Sequence, residues 1–317
     1  MTRIAKLVSL GLACGLFTWA QTPVPAGTPV QMNVTIGHHY GHVPPTLTKD
    51  DLIVTQHYEP LTVTSLIPLR GDHAGLEIFL LVDNCSSCEP GSKFEELSQF
   101  INSQPATTAV GIAYIVNGRL QLAENPTTDH ARAIKALNTP TGNKATSPFV
   151  ALAELIRSWP QGTSRRAVLM ISNGINPAAP RDYQDPSAEA ALEAAQRAGV
   201  TLYVIYHPSA DYLATDSSQI YSGQVQLAHV ANETGGEAYF LGFGPLPSVA
   251  PFLSDMADHL ANQYRLVFLA KPGQEPGDLQ PVTVKTKITD FEVMAPDKVW
   301  VPAIPSATPE AQGEARR

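Results

Sequence analysis

Residues 76–88 of the chain, LEIFLLVDNCSSC, indicate the fold class. They contain five consecutive apolar residues at 78–82, the pattern of a strand that is buried on both faces of a parallel sheet. The apolar run stops at Asp83, and two serines and two cysteines follow. Ligand groups in open α/β sheets gather just beyond the carboxyl ends of the strands. The sequence therefore predicts a candidate site at the polar end of this strand.

Strand and helix patterns alternate from residue 75 to residue 265, which is typical of a sheet covered by helices on both faces. Further strands are predicted at 109–116, 119–123, 167–171, 200–206 and 237–241. Helices are predicted at 94–101, 149–159, 185–199, 227–232 and 252–264. Because Asn117-Gly118 favours a tight turn, the strand after it should be an antiparallel edge strand. These patterns predict an α/β fold with a doubly wound, mostly parallel six-stranded sheet.

Small β units are predicted on both sides of this domain in the sequence. Residues 28–70 contain short alternating apolar and polar runs and predict an N-terminal β unit. Residues 266–301 predict a C-terminal β extension that pairs with it. The final residues, 302–317, are rich in Pro, Ala and Glu without periodic apolar positions, which predicts a disordered tail.

Residues 1–20 have the pattern of a secretory signal peptide. Arg3 and Lys6 precede an apolar run that ends at Trp19, and cleavage after Ala20 is the simplest expectation. Lipid attachment at Cys14 is a less favoured alternative, because the residue three positions before it is not leucine. No later apolar run is long enough to span a bilayer, so the mature chain is predicted to have no transmembrane segment. We expect an exported protein, either periplasmic or secreted.

The charge of the mature chain argues against two classes of partner. Loss of Arg3 and Lys6 with the signal peptide changes the formal net charge from −8 to −10. An acidic chain is a poor match for nucleic acid or for an anionic membrane.

Three polar segments are predicted to lie at the carboxyl edge of the sheet. Residues 83–87 follow the first strand, Thr146 precedes a helix, and residues 172–174 follow the strand at 167–171. If these two strands are neighbours, Asp83 and Asn173 lie close together. Hard oxygen ligands on separate loops are what a cation such as Mg²⁺ requires, usually with several waters retained.

These segments resemble the motifs of the von Willebrand factor A (VWA) domain, in particular its secreted bacterial branch with short β segments on both sides. The matching pieces are VDNCSS, ATSPFVAL and LMISNG, supported by LAENPTTDHARAIKAL, ANETGGEAYFL and NQYRLVF. The likeness covers about residues 28–301. It implies a Rossmann-like α/β domain that binds or adheres to another macromolecule and has no enzymatic activity.

The resemblance also implies a metal-ion-dependent adhesion site, in which an acidic side chain of a protein partner completes the coordination of Mg²⁺ or Mn²⁺. Asp83, Ser87 and Thr146 match the family's ligands, and Asn173 stands where the family usually has an aspartate. Cys85 replaces a serine ligand. Both replacements weaken the site, because a thiol is a poor Mg²⁺ ligand and an amide carries no charge. The binding rim would include Cys85, Ser86, Ser147 and Gly174.

The same residues also have purely structural interpretations. Asp83 and Ser87 would cap the following helix, Thr146 would cap the next, and Asn173 would satisfy backbone groups in a turn. Partner binding could then persist without metal through the same loops.

Cys85 and Cys88 form a CxxC pair with three open interpretations. After export, an even pair of cysteines is most simply one disulfide. A CxxC between a strand and a helix also occurs in thiol–disulfide oxidoreductases, where the helix start lowers a thiol's pKa. This enzyme is our alternative function, although Asn84 stands where such enzymes usually have tryptophan. Free or metal-bound thiols are the third interpretation.

Other candidate sites are weaker. His38, His39 and His42 could bind a transition metal, but they are more simply surface or loop histidines. The chain contains no GxSxG, HExxH or complete phosphate-binding loop, so hydrolase and nucleotide-dependent functions have no support from motifs. The sequence thus favours a non-enzymatic binding protein. A scaffold role in an envelope assembly is a further form of the same function.

Overall fold

The computed structural model describes residues 27–38, 45–83, 93–137, 147–160, 162–176, 185–208, 216–239, 247–271 and 277–303. The predicted signal peptide, the cysteine pair and most of the predicted tail fall outside these ranges and stay predictions. Within the described part, no helix combines the length and apolarity that crossing a membrane requires.

The described part contains strands and helices that alternate through the middle of the chain. In chain order the strands are β1 (Thr28–His38), β2 (Leu52–Gln56), β3 (Glu59–Pro60), β4 (Val63–Pro68), β5 (Leu76–Asp83), β6 (Thr108–Val116), β7 (Arg119–Thr127), β8 (Arg165–Ser172), β9 (Val200–Tyr206), β10 (Ala238–Tyr239), β11 (Gln263–Ala270), β12 (Asp278–Pro281), β13 (Thr283–Thr286), β14 (Phe291–Met294) and β15 (Lys298–Val301). The helices are α1 (Phe94–Ser103), α2 (His130–Lys135), α3 (Pro148–Ser158), α4 (Pro186–Ala198), α5 (Ser217–Asn232) and α6 (Ala250–Ala261).

The central sheet has six strands in the order β10-β9-β8-β5-β6-β7. All neighbouring strands are parallel except β7, which runs antiparallel to β6 at the edge. Asn117 and Gly118 both have positive φ angles, 50° and 75°, as the tight turn between β6 and β7 requires. The predicted α/β fold class with a mostly parallel six-stranded sheet is confirmed.

Helices cover both faces of this sheet, which explains the apolar run in β5. Phe79 and Leu81 belong to a core shared with α3, α4 and α5. Ile78 and Leu80 belong to a second core on the opposite face, shared with α1, α2 and α6. Because successive side chains of a strand point to opposite faces, a strand buried between two helical layers needs apolar residues at every position.

Two helix boundaries show how local sequence sets the ends of the elements. The side chain of Asp185 accepts a hydrogen bond from the Ser187 N–H at the start of α4, and Gly199 ends the helix with φ +63°. This helix lies where the sequence predicted it. In contrast, α5 begins ten residues before the predicted start at 227, because exposed Tyr221 and Val225 on its outer face obscure the apolar periodicity.

The terminal β segments form further sheets that pack together. A four-stranded sheet has the order β14-β1-β11-β4. In β1, Val34 pairs with Tyr264 of β11, and Ile36 pairs with Val293 of β14. The pairing between N-terminal and C-terminal β segments that the sequence suggested is therefore present. The boundary predicted at residue 265 falls inside β11, which belongs wholly to this sheet.

The start of β1 and the end of β15 lie beside the amino edge of the central sheet. Both segments line a cavity of about 330 Å³ together with residues 200 and 201 at the beginning of β9. The guanidinium carbon of Arg197, on α4, lies 4.3 Å from the centre of the Trp300 ring in β15. This cation–π contact joins the helical layer to the terminal β segments.

Candidate functional site

Asp83 is the last residue of β5 and lies at the carboxyl edge of the central sheet. The Ser172 hydroxyl, at the end of β8, donates a hydrogen bond of 2.7 Å to Asp83 Oδ2. Burial raises the pKa of the Asp83 carboxyl to about 6, although the Ser172 hydrogen bond opposes this shift. The structure thus places an acidic group in a poorly hydrated position, where a bound cation would stabilise its ionised form.

Asn173 forms a turn directly after β8. Its Oδ1 accepts a hydrogen bond of 2.9 Å from the Ile175 N–H, and the Gly174 N–H donates to Ser172 Oγ at 3.1 Å. The buried amide of Asn173 therefore satisfies a backbone group, which is the structural role considered from the sequence. Asp83 and Asn173 follow paired strands, as predicted, since Val82 of β5 lies opposite Ile171 of β8.

Gly174 holds this turn against α5. It has φ +69°, and a Cβ atom placed on it would lie 2.4 Å from the carbonyl oxygen of Gly223. Both the backbone angle and the close approach require glycine here. The close contacts on its Cβ side are with α5, and its assignment to the binding rim stays a prediction.

Ser147 belongs to a hydrogen-bonded network at the same edge. It is the residue before α3, and its Oγ lies 2.7 Å from Ser187 Oγ at the start of α4. Ser187 Oγ donates to Asp185 Oδ1 at 2.7 Å, while Asn176 Nδ2 donates to Asp185 Oδ2 at 2.8 Å. The network fixes the starts of two helices relative to the turn after β8.

The sequence did not identify Asn176, Asp185 or Ser187 as members of this edge. The sequence predicted that a helix begins at Asp185, and this predicted helix start was the available signal. A helix that precedes a parallel strand begins at the carboxyl edge of the sheet, so its capping residues lie near the candidate site.

Lys93 adds a positive charge to the edge, beside the imidazole of His207. His207 follows β9 and donates its backbone N–H to Ser172 O at 3.0 Å. Burial lowers the pKa of the His207 imidazole, and the nearby Lys93 cation lowers it further. Lys93 Nζ donates to the Pro247 carbonyl oxygen at 3.1 Å. The imidazole is thus held in its neutral form beside a positive side chain.

The described residues fit a divalent cation in part. Asp83 supplies a charged oxygen ligand, whereas Asn173 Oδ1 is already hydrogen-bonded and would reach the cation through water. Two predicted ligands, Ser87 and Thr146, lie outside the described residues.

Cys85, Ser86 and Cys88 also lie outside the described residues. The disulfide and the thiol–disulfide oxidoreductase therefore stay predictions. The same holds for the histidine cluster, since His39 and His42 are outside these ranges.

Neither a protein-family model nor a curated protein matches the chain. Solved structures that are similar to the chain include the following three. Proximal thread matrix protein 1 from the mussel byssus has 13% identity and a TM-score of 0.43 over 59% of this chain and 48% of its own. The SpRpn10 VWA domain has 12% identity and a TM-score of 0.39 over 57% of this chain and 94% of its own.

The third structure is the vWF domain of the type V pili tip protein Mfa5 from Porphyromonas gingivalis. It has 11% identity and a TM-score of 0.43 over 61% of this chain and 95% of its own. The chain covers less than half the length of the byssus protein. Identities and TM-scores this low do not assign the chain to the family of any of these proteins.

Proposed function

We propose that this chain is an exported, non-enzymatic binding protein whose VWA-like domain engages a protein partner through the carboxyl edge of its sheet. The observation that carries this proposal is the convergence of Asp83, Ser172 and the Asn173 turn at the ends of two paired strands. The pattern of residues 1–20 supports export, to the periplasm or beyond the cell.

In the metal-dependent form of this function, Asp83 holds Mg²⁺ or Mn²⁺ with the predicted ligands Ser87 and Thr146, and Asn173 acts through water. When bound, the cation would offer an open coordination position to an acidic side chain of the partner. Ser172 orients the Asp83 carboxylate through its hydroxyl, and the turn at Asn173 and Gly174 holds Ser172 in place. The network of Ser147, Ser187 and Asp185 fixes the neighbouring helix starts that would form the rim.

Calorimetric titration of the mature chain with Mg²⁺ and with Mn²⁺ tests the metal site. We expect saturable binding that is lost in Asp83→Asn and retained in Glu193→Gln. Glu193 is a suitable control. Among the described contacts, its half-exposed carboxylate pairs only with Arg197, which lies one turn away on α4. Equal binding by wild type and Asp83→Asn would show that Asp83 does not hold the cation.

A displayed peptide library tests the interaction itself. Peptides selected on the mature chain in Mg²⁺ should be enriched in Asp or Glu, and they should dissociate on chelation or on the Asp83→Asn change. Peptides that bind in chelator yet still lose binding in Asp83→Asn would support the metal-free form. Peptides that bind wild type and Asp83→Asn equally would contradict binding at this edge.

A further inference from the structure

A second polar cluster lies at the opposite, amino edge of the central sheet. Glu237 comes directly before β10, Asp255 and His259 lie on α6, and Glu292 lies on β14. All four line a cavity of about 580 Å³. The cavity therefore lies where the helical domain meets the terminal β sheet, away from Asp83.

Three of these side chains are close enough to share one ion. One ligand atom from each of Glu237, Asp255 and His259 lies within 4.8 Å of the other two. His259 Nδ1 lies 3.6 Å from Asp255 Oδ2, because residues four apart on a helix share a face. Metal–ligand bonds of about 2.0–2.2 Å place ligand atoms roughly 3–4 Å apart, so small side-chain rotations would complete the geometry.

Neighbouring aromatic residues hold two of the ligands in place. The Tyr239 hydroxyl donates a hydrogen bond of 2.7 Å to Asp255 Oδ2. The ring of the buried His259 stacks on Tyr203, with 6.1 Å between centroids and 29° between planes. Outer partners of this kind fix ligand orientation in metal sites and limit the reorganisation that binding requires.

The cluster concentrates negative charge in a partly buried place. Burial raises the pKa of the Glu237 carboxyl, and the charges of Asp255 and Glu292 raise it further. Like charges that converge on one cavity are costly unless one is protonated or a cation lies between them. A divalent ion would remove this cost. Gly37 pairs with Glu292 in the β1–β14 ladder and leaves room for the ion on the β side of the cavity.

We propose that Glu237, Asp255 and His259 form a binding site for a divalent transition-metal ion such as Zn²⁺, with Glu292 as a further ligand. One imidazole nitrogen and several carboxylate oxygens are a donor set that suits zinc and its neighbours better than Mg²⁺, which prefers oxygen alone. The ion would connect α6 and the start of β10 to β14, and so join the helical domain to the terminal β sheet.

Titration of the tag-free mature chain with ZnCl₂ tests this site, with calorimetry and thermal unfolding as readouts. We expect saturable binding of one Zn²⁺ per chain and a higher Tm, because an ion that binds the native state selectively stabilises it. Glu237→Gln and Asp255→Asn should each weaken the affinity at least tenfold. Asp258→Asn is the matched control, since its exposed carboxylate lies on α6 outside the cluster.

Two further variants separate this site from Asp83 and from His39 with His42. The Asp83→Asn variant should bind Zn²⁺ as the wild type does, so failure of the proposed Mg²⁺ site would leave this inference intact. A double change of His39 and His42 to Gln should also retain binding. The proposal would be overturned if the wild type showed no saturable Zn²⁺ binding. It would also be overturned if the double histidine variant lost Zn²⁺ binding while Glu237→Gln retained it.

Discussion

The two polar clusters at opposite edges of the sheet differ in how their charge is balanced. At the carboxyl edge, the carboxylate of Asp83 accepts a hydroxyl hydrogen bond, and the neighbouring Asn173 satisfies a backbone N–H. At the amino edge, Glu237 and Asp255 converge on one cavity with His259 between the helical domain and β14. The first cluster holds a single buried carboxylate with a hydroxyl partner, whereas the second brings several like charges to one cavity, where an ion can neutralise them.

This difference separates a surface prepared for a partner from a site prepared for an ion. Hydrogen bonds within the carboxyl edge fix its shape before any ligand arrives, and a fixed shape lowers the entropic cost of association. The amino-edge cluster gains most from a cation, because its carboxylates repel one another until the charge is balanced. Four changes would sharpen or break this contrast.

Gly174→Ala should have the largest effect, because the shape of the carboxyl edge depends on this glycine. The added Cβ would lie 2.4 Å from Gly223 O and 2.7 Å from the Leu227 side chain, at φ +69°. We expect the free energy of unfolding to fall by about 3 kcal/mol or more in urea denaturation. Gly199→Ala is the control, since it has φ +63° but open space, and should cost only about 1 kcal/mol. Equal losses would mean that the close contact with α5 is unimportant.

Asp83→Asn should stabilise the metal-free protein at neutral pH. Since burial raises the pKa of Asp83 from 3.8 to about 6, the folded state binds the proton more tightly than the unfolded state. The wild type should therefore lose stability as pH rises from about 4 to about 6, and the variant should not. Above pH 7 in chelator, we expect the variant's free energy of unfolding to be higher by about 1–2 kcal/mol.

Denaturation at pH 4 provides the internal control for this prediction. Asp83 should be largely protonated there in the folded protein, so the two proteins should have similar stability. A wild type that is more stable than Asp83→Asn at every pH would show that the Asp83 carboxylate is stabilised by its surroundings. The buried carboxylate would then not be costly, and this prediction would be wrong.

Glu233→Gln should also raise the free energy of unfolding, but by less than Asp83→Asn does. A hydrogen bond with Asp297, followed by burial and the Asp297 charge, raises the pKa of Glu233 to about 7. This pair can be relieved by one shared proton, in contrast to the three-residue cluster at the amino edge. Wild-type stability should decrease as pH rises from about 4.5 to about 7, and the variant should be about 1 kcal/mol more stable at pH 8. Thermal unfolding across this pH range, with Glu193→Gln as control, measures the difference.

Glu237→Gln should give the smallest change in thermal stability, and the sign of this change should reverse when metal is bound. In chelator the variant should have a slightly higher Tm, because the substitution removes one of the repelling charges around Asp255. With saturating Zn²⁺ the wild type should have the higher Tm, because the variant lacks a charged ligand. Thermal scans in both conditions would show this crossing, and a variant that is less stable in both would argue against electrostatic repulsion.

The fold and the carboxyl edge were predictable because their signals are local in sequence. An apolar run followed at once by Asp83 marks both a buried strand and its polar end, and Asp185 with Gly199 marks both ends of α4. The pairing of β5 with β8 was only a condition at the level of sequence, and the structure shows it.

The remaining features depend on contacts between distant segments. Asp255 and His259 show a helical spacing, but nothing in the sequence places Glu237 or Glu292 beside them. Their proximity depends on how α6 packs beside β10 and how β14 pairs with β1. The hydrogen bond between Ser147 and Ser187 similarly depends on the packing of α3 against α4. Tertiary packing of this kind leaves no periodic pattern to detect.

The position of the first and last described strands bears on how the molecule can be tethered. The start of β1 and the end of β15 border one cavity at the amino edge. The first and last described segments therefore lie on the same side of the central sheet, opposite the edge that carries Asp83. A tension applied between the two segments would act on the terminal β strands first and reach the central sheet only after they separate.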